Sequence, residues 1–334
     1  MEQFVMTTCE VFGWENGSAG GYYRVQLPMR SLAGLGHAVA GGTALPVDWL
    51  RDHSDMIVVG QRVLEPRASR LWQEMAAAGR RLIFEIDDDL WNVDRSSPFF
   101  HGLMQREDVR ENLRRNIEVA HAVTVTTEPL ADRVRTINPR VHVIPNAVPD
   151  WLLDHRPARR TDGIITVGWG GDGTHAMDWE DHAEPIRGFF SRHPHTEMHC
   201  MGADYDLGLT PEGRTRFTPW IQGVEPYLRA VDYHIGIAPL RKHVFNHSKS
   251  ALRTLEYAAL GIPVVASAVG PYARHVREEV TGYLVRRPHE WDGFLNVLAN
   301  DADLRDRMGA AAREHASAHA SSRVAPLWEK AVFG

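Results

Sequence analysis

Residues Ala238 to Ser267 read APLRKHVFNHSKSALRTLEYAALGIPVVAS. Two short apolar runs flank a stretch of helical period. Gly261-Ile-Pro follows the last periodic residue, the place where a left-handed residue and a proline end helices. The segment therefore predicts a strand, a loop, a helix over Ser250–Leu260 and a second strand over Val264–Ser267. Ser248 or Ser250 is placed to cap the helix. Ala251, Leu255, Ala258 and Ala259 make an apolar stripe for a sheet, while Lys249, Arg253 and Glu256 fall at i, i+4 and i+7 on another face. A cation at Lys249 meets the positive end of the helix dipole, which is unfavourable unless an anion binds there. Backbone N–H groups, the Ser250 hydroxyl and the Lys249 ammonium would then converge on a phosphate. Glu256, two turns on, is placed to accept hydrogen bonds from ribose hydroxyls. The plainer reading is a solvated helix start with an Arg253–Glu256 surface pair.

Outward from this stretch, apolar runs keep alternating with helix-period segments, which predicts βαβ units and parallel sheet. Strands are expected over Phe4–Phe12, Met56–Val59, Leu82–Ile86, Ala122–Thr126 and Val141–Ile144, with helices over Tyr22–Gly34, Arg67–Ala78, Val109–Ala120 and Glu128–Ile137. Pro145 to Gly163 is rich in proline and charge and reads as a linker. Strands then resume over Ile164–Gly168, Glu197–Met201 and Tyr233–Ala238, and helices over Trp291–Ala299 and Leu304–Ala316. The fold class is α/β, with two doubly wound, Rossmann-like domains at 1–152 and 161–318. A last segment, 319–334, carries a helix over Ser322–Phe333 expected to pack back on the first domain. Ligands bind beyond the carboxyl ends of such sheets, so the cleft between the domains is the expected site.

The 334 residues suffice for two cores, and 43% apolar with 24% charged residues is ordinary for a globular chain. A net charge of -6 gives no electrostatic case for nucleic acid or a membrane surface. Cys9 and Cys200 have no metal-ligand spacing and read as buried thiols in a reducing compartment. With no apolar run near 18 residues and no signal-peptide pattern at MEQFVMTTCEVF, no transmembrane segment and a cytoplasmic location are expected.

The segment LEYAALGIPVVAS resembles the carboxyl-domain signature of the family 4 glycosyltransferases of the GT-B fold. GSAGGYYRVQLPMRSLAGLGHAV (Gly17–Val39) resembles the family's opening glycine loop and first helix. VHVIPNAV (Val141–Val148) resembles the segment closing its first domain, ITVGWGG the strand opening the second, and TGYLV (Thr281–Val285) a late strand. The resemblance implies a retaining transfer of sugar from an NDP-sugar, UDP-linked, with the donor mainly on the second domain and the acceptor mainly on the first. The acceptor is a small metabolite, a lipid or a carrier-bound intermediate. It also implies that Glu256 binds the donor ribose, and that Gly20, Gly21 and the region of Lys249 hold the diphosphate. Three positions depart from the pattern. Ser248 stands where a second glutamate is common, Trp169 where an arginine follows Val-Gly, and His175 roughly where a lysine follows. More of the diphosphate's charge then falls to Lys249, with Arg24 or Arg241.

The remaining motifs fit this frame. The glycine loop Gly17–Gly21 follows a strand and opens a helix, but it is not G-x-G-x-x-G, so a dehydrogenase is not expected. FEIDDDLWNVD (Phe84–Asp94) places Asp87 and Asp88 just beyond a strand, where they could contact sugar hydroxyls or orient the acceptor nucleophile. GWGGDGTHAMD (Gly168–Asp178) offers the amides of Gly170 and Gly171 to a diphosphate, with His175 as a hydrogen-bond donor. The histidines read as scattered, so no zinc site is expected, and no G-x-S-x-G suggests a hydrolase. Neither a cofactor nor a metal is expected. Three other readings stay open: a GT-B sugar-nucleotide epimerase, a metal-dependent transferase using Asp87 and Asp89, and a non-catalytic nucleotide-sugar-binding protein.

Overall fold

The computed structural model describes residues 10–48, 53–97, 100–180, 182–203 and 214–334. The chain divides into two units: Met1–Ala147 with Ser248–Ser250 and Ser321–Gly334, and Val148–His247 with Ala251–Ala320.

In the first unit, β1 (Val11–Trp14), β2 (Val39–Gly42), β3 (Ile57–Gln61), β4 (Leu82–Ile86), β5 (Ala122–Val125) and β6 (Val141–Val143) form one parallel sheet in the order β2-β1-β3-β4-β5-β6. β3, β4 and β5 are buried along their whole length, as continuous apolar runs in a sheet covered on both faces must be. The helices are α1 (Leu27–Gly34), α2 (Pro66–Ala77), α3 (Glu107–Glu118) and α4 (Glu128–Arg135). Proline in the first turn of α2 and α4 costs no backbone bond there. Thr127 caps α4, its Oγ1 accepting from the Leu130 amide at 3.4 Å.

The second unit repeats the plan. Strands β7 (Ile165–Gly171), β8 (Thr196–Gly202), β9 (Thr215–Pro219), β10 (Ile235–Ala238), β11 (Val264–Ser267) and β12 (Gly282–Val285) run parallel in the order β12-β11-β10-β7-β8-β9. Its helices include α5 (Ala183–Arg192), α6 (Val224–Ala230), α7 (Leu252–Ala259), α8 (Gly270–His275), α9 (Glu290–Asn300) and α10 (Ala302–Ser317). Trp169, Trp179 and Trp291 sit in its core. The last helix, α11 (Ser321–Phe333), belongs to the first unit. There Phe333 stacks on His37 at 4.2 Å.

Strand order reverses between β1 and β3 in the first sheet and between β7 and β10 in the second. Those two places are where doubly wound sheets leave a crevice for ligands.

The expected elements shift in detail. β1 begins at Val11, and the part of the expected first strand before Glu10 lies outside the described residues, as does Cys9. Two edge strands, β2 and β9, carry no apolar run that would announce them: VAGG is half glycine and TRFTP alternates with polar residues. The helix α7 starts at Leu252, later than expected, and its N-cap is Ala251 with no side-chain cap. Neither Ser248 nor Ser250 caps it. The Ser248 carbonyl accepts from Thr127 Oγ1 at 2.7 Å, and Ser250 Oγ accepts from Asn146 Nδ2 at 2.7 Å.

Candidate active site

In the second unit, β7 ends on Gly170 and Gly171 at the switch point, and the loop beyond it carries His175. Arg253 reaches in from the first turn of α7 and lies over the Trp169 ring, 4.8 Å from its centroid. Its Nη2 is 3.2 Å from His175 Nε2. A guanidinium only donates, so Nε2 accepts, and Nδ1–H of His175 therefore donates to Asp178 Oδ2 at 2.8 Å. Asp178 is itself fixed by the Arg241 amide at 3.1 Å and by Asn246 Nδ2 at 3.0 Å. The chain Asp178–His175–Arg253 thus orients one cation on an aromatic face.

Burial opposes the charge on Arg253. The hydroxyls of Tyr272, Tyr257 and Tyr227 and the carboxylate of Glu256 outweigh it and hold the pKa above the ordinary arginine value. Burial likewise pushes the Tyr272 hydroxyl up to about 12. Glu256 is 7% exposed, one turn along α7 from Arg253. The surface-pair reading of Arg253 and Glu256 is therefore wrong. Both residues lie among aromatic rings at the carboxyl end of the sheet.

Two further expectations change here. The Gly170 amide donates to Tyr257 Oη at 3.3 Å, so it is not available to a phosphate. His175 spends its N–H on Asp178 and serves as an acceptor for Arg253, not as a donor to a ligand. Gly171 matters for space. A Cβ there would sit 2.7 Å from both Arg253 Nη2 and the Trp169 ring. Arg241 lies three residues beyond the end of β10, and its carbonyl accepts from Asn246 Nδ2 at 3.0 Å.

In the first unit, the corresponding strand ends gather Gly20, Gly21, Arg62, Asp87 and Asp88. Arg62 donates through Nε to Asp87 Oδ1 at 2.7 Å and through Nη2 to Asp88 Oδ2 at 2.6 Å. Its backbone holds φ at 45°, a left-handed conformation costing a non-glycine residue about 1–3 kcal/mol. Burial works against the Arg62 charge, but Asp87 and Asp88 prevail and raise its pKa. Burial also raises the Asp88 carboxyl, opposed first by Arg62 and then by Lys249, which lies within its field. The guanidinium bridges Asp87 and Asp88 and supplies their counter-charge. Asp89 accepts from Asn92 Nδ2 at 2.7 Å.

Gly20 faces Gln61 and Asp87, 3.2 and 3.3 Å from where a Cβ would be. At Gly21 a Cβ would meet Glu15 Oε2 at 2.2 Å, so only glycine admits that carboxylate. The Gly21 amide is taken by Ser18 Oγ at 3.3 Å. Both amide atoms of Gln61, which is 3% exposed, and Oε2 of Glu15 are buried without a hydrogen-bond partner. Such groups cost roughly 1–3 kcal/mol when left unsatisfied.

Arg24 does not belong to this group. The π-helical turn Tyr22–Gln26 directs it inward, where it is 1% exposed. Its Nε donates to Glu85 Oε1 at 2.7 Å and its Nη1 to the Ile144 carbonyl at 2.8 Å and Asn146 Oδ1 at 3.2 Å, with the guanidinium 5.0 Å from the Trp328 ring. Burial raises the Glu85 carboxyl to about 8, against the pull of Arg24. Arg24 is a brace of the first unit and is removed from the donor-binding set.

Arg253, Asp178, Arg62, Gln61 and Glu15 are the functional candidates that sequence reasoning missed. For Arg253 the signal was present in its i+4 relation to Lys249. For Arg62 and Gln61 it was the polar pair closing the apolar run IVVGQR at a strand's carboxyl end.

Residues 186–300 match the family model of Glycosyl transferases group 1. The D-inositol 3-phosphate glycosyltransferase of Thermobifida fusca is 37% identical over 92 residues, 27% of this chain and 20% of that protein, so the match spans about a fifth of the relative's length. Among solved structures, sucrose-phosphate synthase from Thermosynechococcus elongatus superposes with a TM-score of 0.67 at 17% identity, covering 96% of this chain and 97% of that one. Anabaena Alr3699/HepE in complex with UDP-glucose gives 0.63 at 14% identity, covering 96% and 98%. None of the described helices is long and apolar enough to cross a membrane. Two parallel six-stranded sheets, each with its switch point, give the chain the GT-B fold, and within the second unit residues 186–300 are similar to the Glycosyl transferases group 1 family.

Proposed function

We propose that the chain transfers a sugar from a nucleotide diphosphate donor, UDP-linked, to an acceptor hydroxyl with retention of configuration. The observation that carries this reading is the Arg253 guanidinium, held on Trp169 by His175 and Asp178 beside buried Glu256, at the switch point of the second sheet. It supplies a fixed positive charge where this chain, with Trp169 and His175, lacks two that the family pattern carries. The bound UDP-glucose of the Anabaena structure supports the choice of donor.

In this reading the C1–O bond to the diphosphate breaks while the acceptor oxygen bonds C1 from the same face. The acceptor proton passes to the departing diphosphate oxygen, and the products are a glycoside and a nucleoside diphosphate. Arg253, Arg241 and Lys249 stabilise the charge that grows on the leaving group. Glu256 holds the ribose, while Asp87 and Asp88, fixed by Arg62, orient sugar and acceptor hydroxyls. No metal takes part in the reaction.

The test is nucleotide release from a panel of NDP-sugars, with and without cell-extract acceptors, in the presence of excess EDTA. Acceptor-dependent release of UDP that survives the chelator is expected. Turnover lost in EDTA and restored by manganese would overturn the metal-free reading, and donor binding without turnover would overturn the transferase reading.

Glu256→Gln is expected to raise the donor KM with little change in kcat, because a ribose contact is equal in ground and transition states. The loss corresponds to about 1.5–3 kcal/mol, a hydrogen bond to a charged acceptor. Steady-state kinetics with varied donor decide it, and an unchanged KM refutes the ribose assignment.

Lys249→Ala is expected to lower kcat about 10²-fold, the lower end for loss of one preorganised electrostatic group, because Asp88 already claims part of its charge. Thermal stability should hardly move. A near wild-type rate would place the diphosphate away from Lys249.

A further inference from the structure

The spacing H-x-x-x-H occurs three times in this chain, at His195–His199, His243–His247 and His315–His319, so the reading of the histidines as scattered was mistaken. The first pair runs into strand β8 and the second spans a helix of one turn. The third is different. His315 lies in the last turn of α10 and His319 in the turn that follows, where its amide still bonds the Ala316 carbonyl at 2.8 Å. Residues four apart in such a turn share one face. His275, the last residue of α8, meets that face, with ring centroids 4.8 Å from His315 and 5.7 Å from His319.

We propose that His275, His315 and His319 form a binding site for one divalent transition-metal ion, of which zinc fits best, that staples α8 to the end of α10. One ring nitrogen from each residue lies within 4.8 Å of the others. Zinc at about 2.0–2.1 Å from tetrahedral ligands needs them roughly 3.4 Å apart, which small rotations of the rings supply.

The hydrogen bonding prepares the lone pairs. The single proton of the Thr254 hydroxyl goes to the Ala251 carbonyl at 2.9 Å, so the same oxygen, 3.1 Å from His275 Nδ1, accepts from Nδ1–H. Nε2 of His275 is then a bare lone pair, shielded from solvent and without a hydrogen-bond partner. Nε2 of His315 is in the same condition, while that ring bonds the main chain at His275. A ring N–H committed to an outer partner is the usual support for a metal-ligating imidazole. Three imidazoles select zinc, cobalt, nickel or copper over magnesium or calcium. Arg277 is the charged neighbour, and a hydroxide or chloride in the open fourth position would offset it. Thr254 lies on α7, so the staple would stiffen the helix that presents Arg253 and Glu256 without touching either.

The test uses the whole chain, stripped with EDTA and returned to chelator-free buffer. Zinc chloride is followed by calorimetry and thermal unfolding, and cobalt chloride by its visible absorption. One ion per chain at micromolar zinc, a raised Tm and the intense spectrum of tetrahedral cobalt are expected. His315→Gln and His319→Gln should each weaken zinc binding at least about 100-fold, and Thr254→Val, which loosens the His275 ring, about 10-fold. The metal-free Tm of His319→Gln should match the wild type, since its ring lies outside the regular helix, and this variant decides the matter if His315→Gln folds poorly. Stoichiometric zinc retained by His319→Gln, or no uptake by the wild type, would overturn the site. Neither outcome depends on glycosyl transfer.

Discussion

Arg253→Ala is expected to lower kcat about 10³-fold, the upper end of what one preorganised electrostatic group contributes. Two features set the size. The guanidinium sits on the Trp169 ring, away from bulk water, where a unit charge pair at about 4 Å is worth roughly 4 kcal/mol at an effective dielectric near 20. Its position is also fixed before any ligand arrives, because Asp178 holds His175 and His175 holds Arg253. A group that need not reorganise acts most strongly where charge appears late, on the departing diphosphate. Arg253→Lys should recover only part of the rate. It keeps the charge but loses the planar surface that stacks on Trp169 and the N–H that meets His175. Single-turnover kinetics with saturating donor read this effect directly, and a rate within a few-fold of wild type would move the leaving group's counter-charge to another residue. His175→Ala tests the same chain from the other end. It should slow turnover less than Arg253→Ala, because it loosens the guanidinium without removing it.

The second large effect is on stability and concerns Arg24. Arg24→Met strips the buried Glu85 of the guanidinium that donates to it at 2.7 Å and removes the donor to the Ile144 carbonyl and Asn146 Oδ1. Breaking a buried pair on one side costs about 3–5 kcal/mol. For a unit of this size that corresponds to a fall in Tm of roughly 6–20 °C. The sign with pH follows from Glu85. Its carboxyl is raised by burial to about 8 in the folded chain, from an ordinary value of 4.5. Stability from that group is therefore full below about pH 4.5 and is lost as pH rises through about 8. Without Arg24 the folded value rises further, so the variant should lose more stability at about pH 9 than at about pH 6. Adding Glu85→Gln should recover much of the loss. Thermal unfolding at the two pH values measures it, and a variant as stable as the wild type at both would show that Arg24 braces nothing.

The contrast between these two arginines shows what the sequence could carry. The GT-B architecture was legible because it rests on period: βα alternation twice over, and an apolar stripe ended by Gly261-Ile-Pro. Glu256 was legible as a helical position beside that stripe. Arg24 and Arg253 were misjudged because their roles depend on where a side chain points. A π-helical turn, which no propensity announces, sends Arg24 into the first core. Arg253 was placed on the correct face of its helix, but the ring it lies on belongs to Trp169, distant in sequence. The substitution of tryptophan for a family arginine looked like a lost charge. In space it is a platform for one supplied from α7. Arg62 had no helical or strand period to betray it, since its left-handed backbone follows the end of β3. The serines before α7 were read as caps from residue type alone, whereas their oxygens are engaged by Thr127 and Asn146.

The most direct test of the central claim, that the second unit holds a nucleoside diphosphate against Arg253 and Glu256, is a calorimetric titration of the whole chain with UDP, repeated on Arg253→Ala. One UDP per chain is expected for the wild type, with the variant binding about 100-fold more weakly, the loss of roughly 2.7 kcal/mol from a single charged contact. UDP binding to the variant with unchanged affinity would contradict the account.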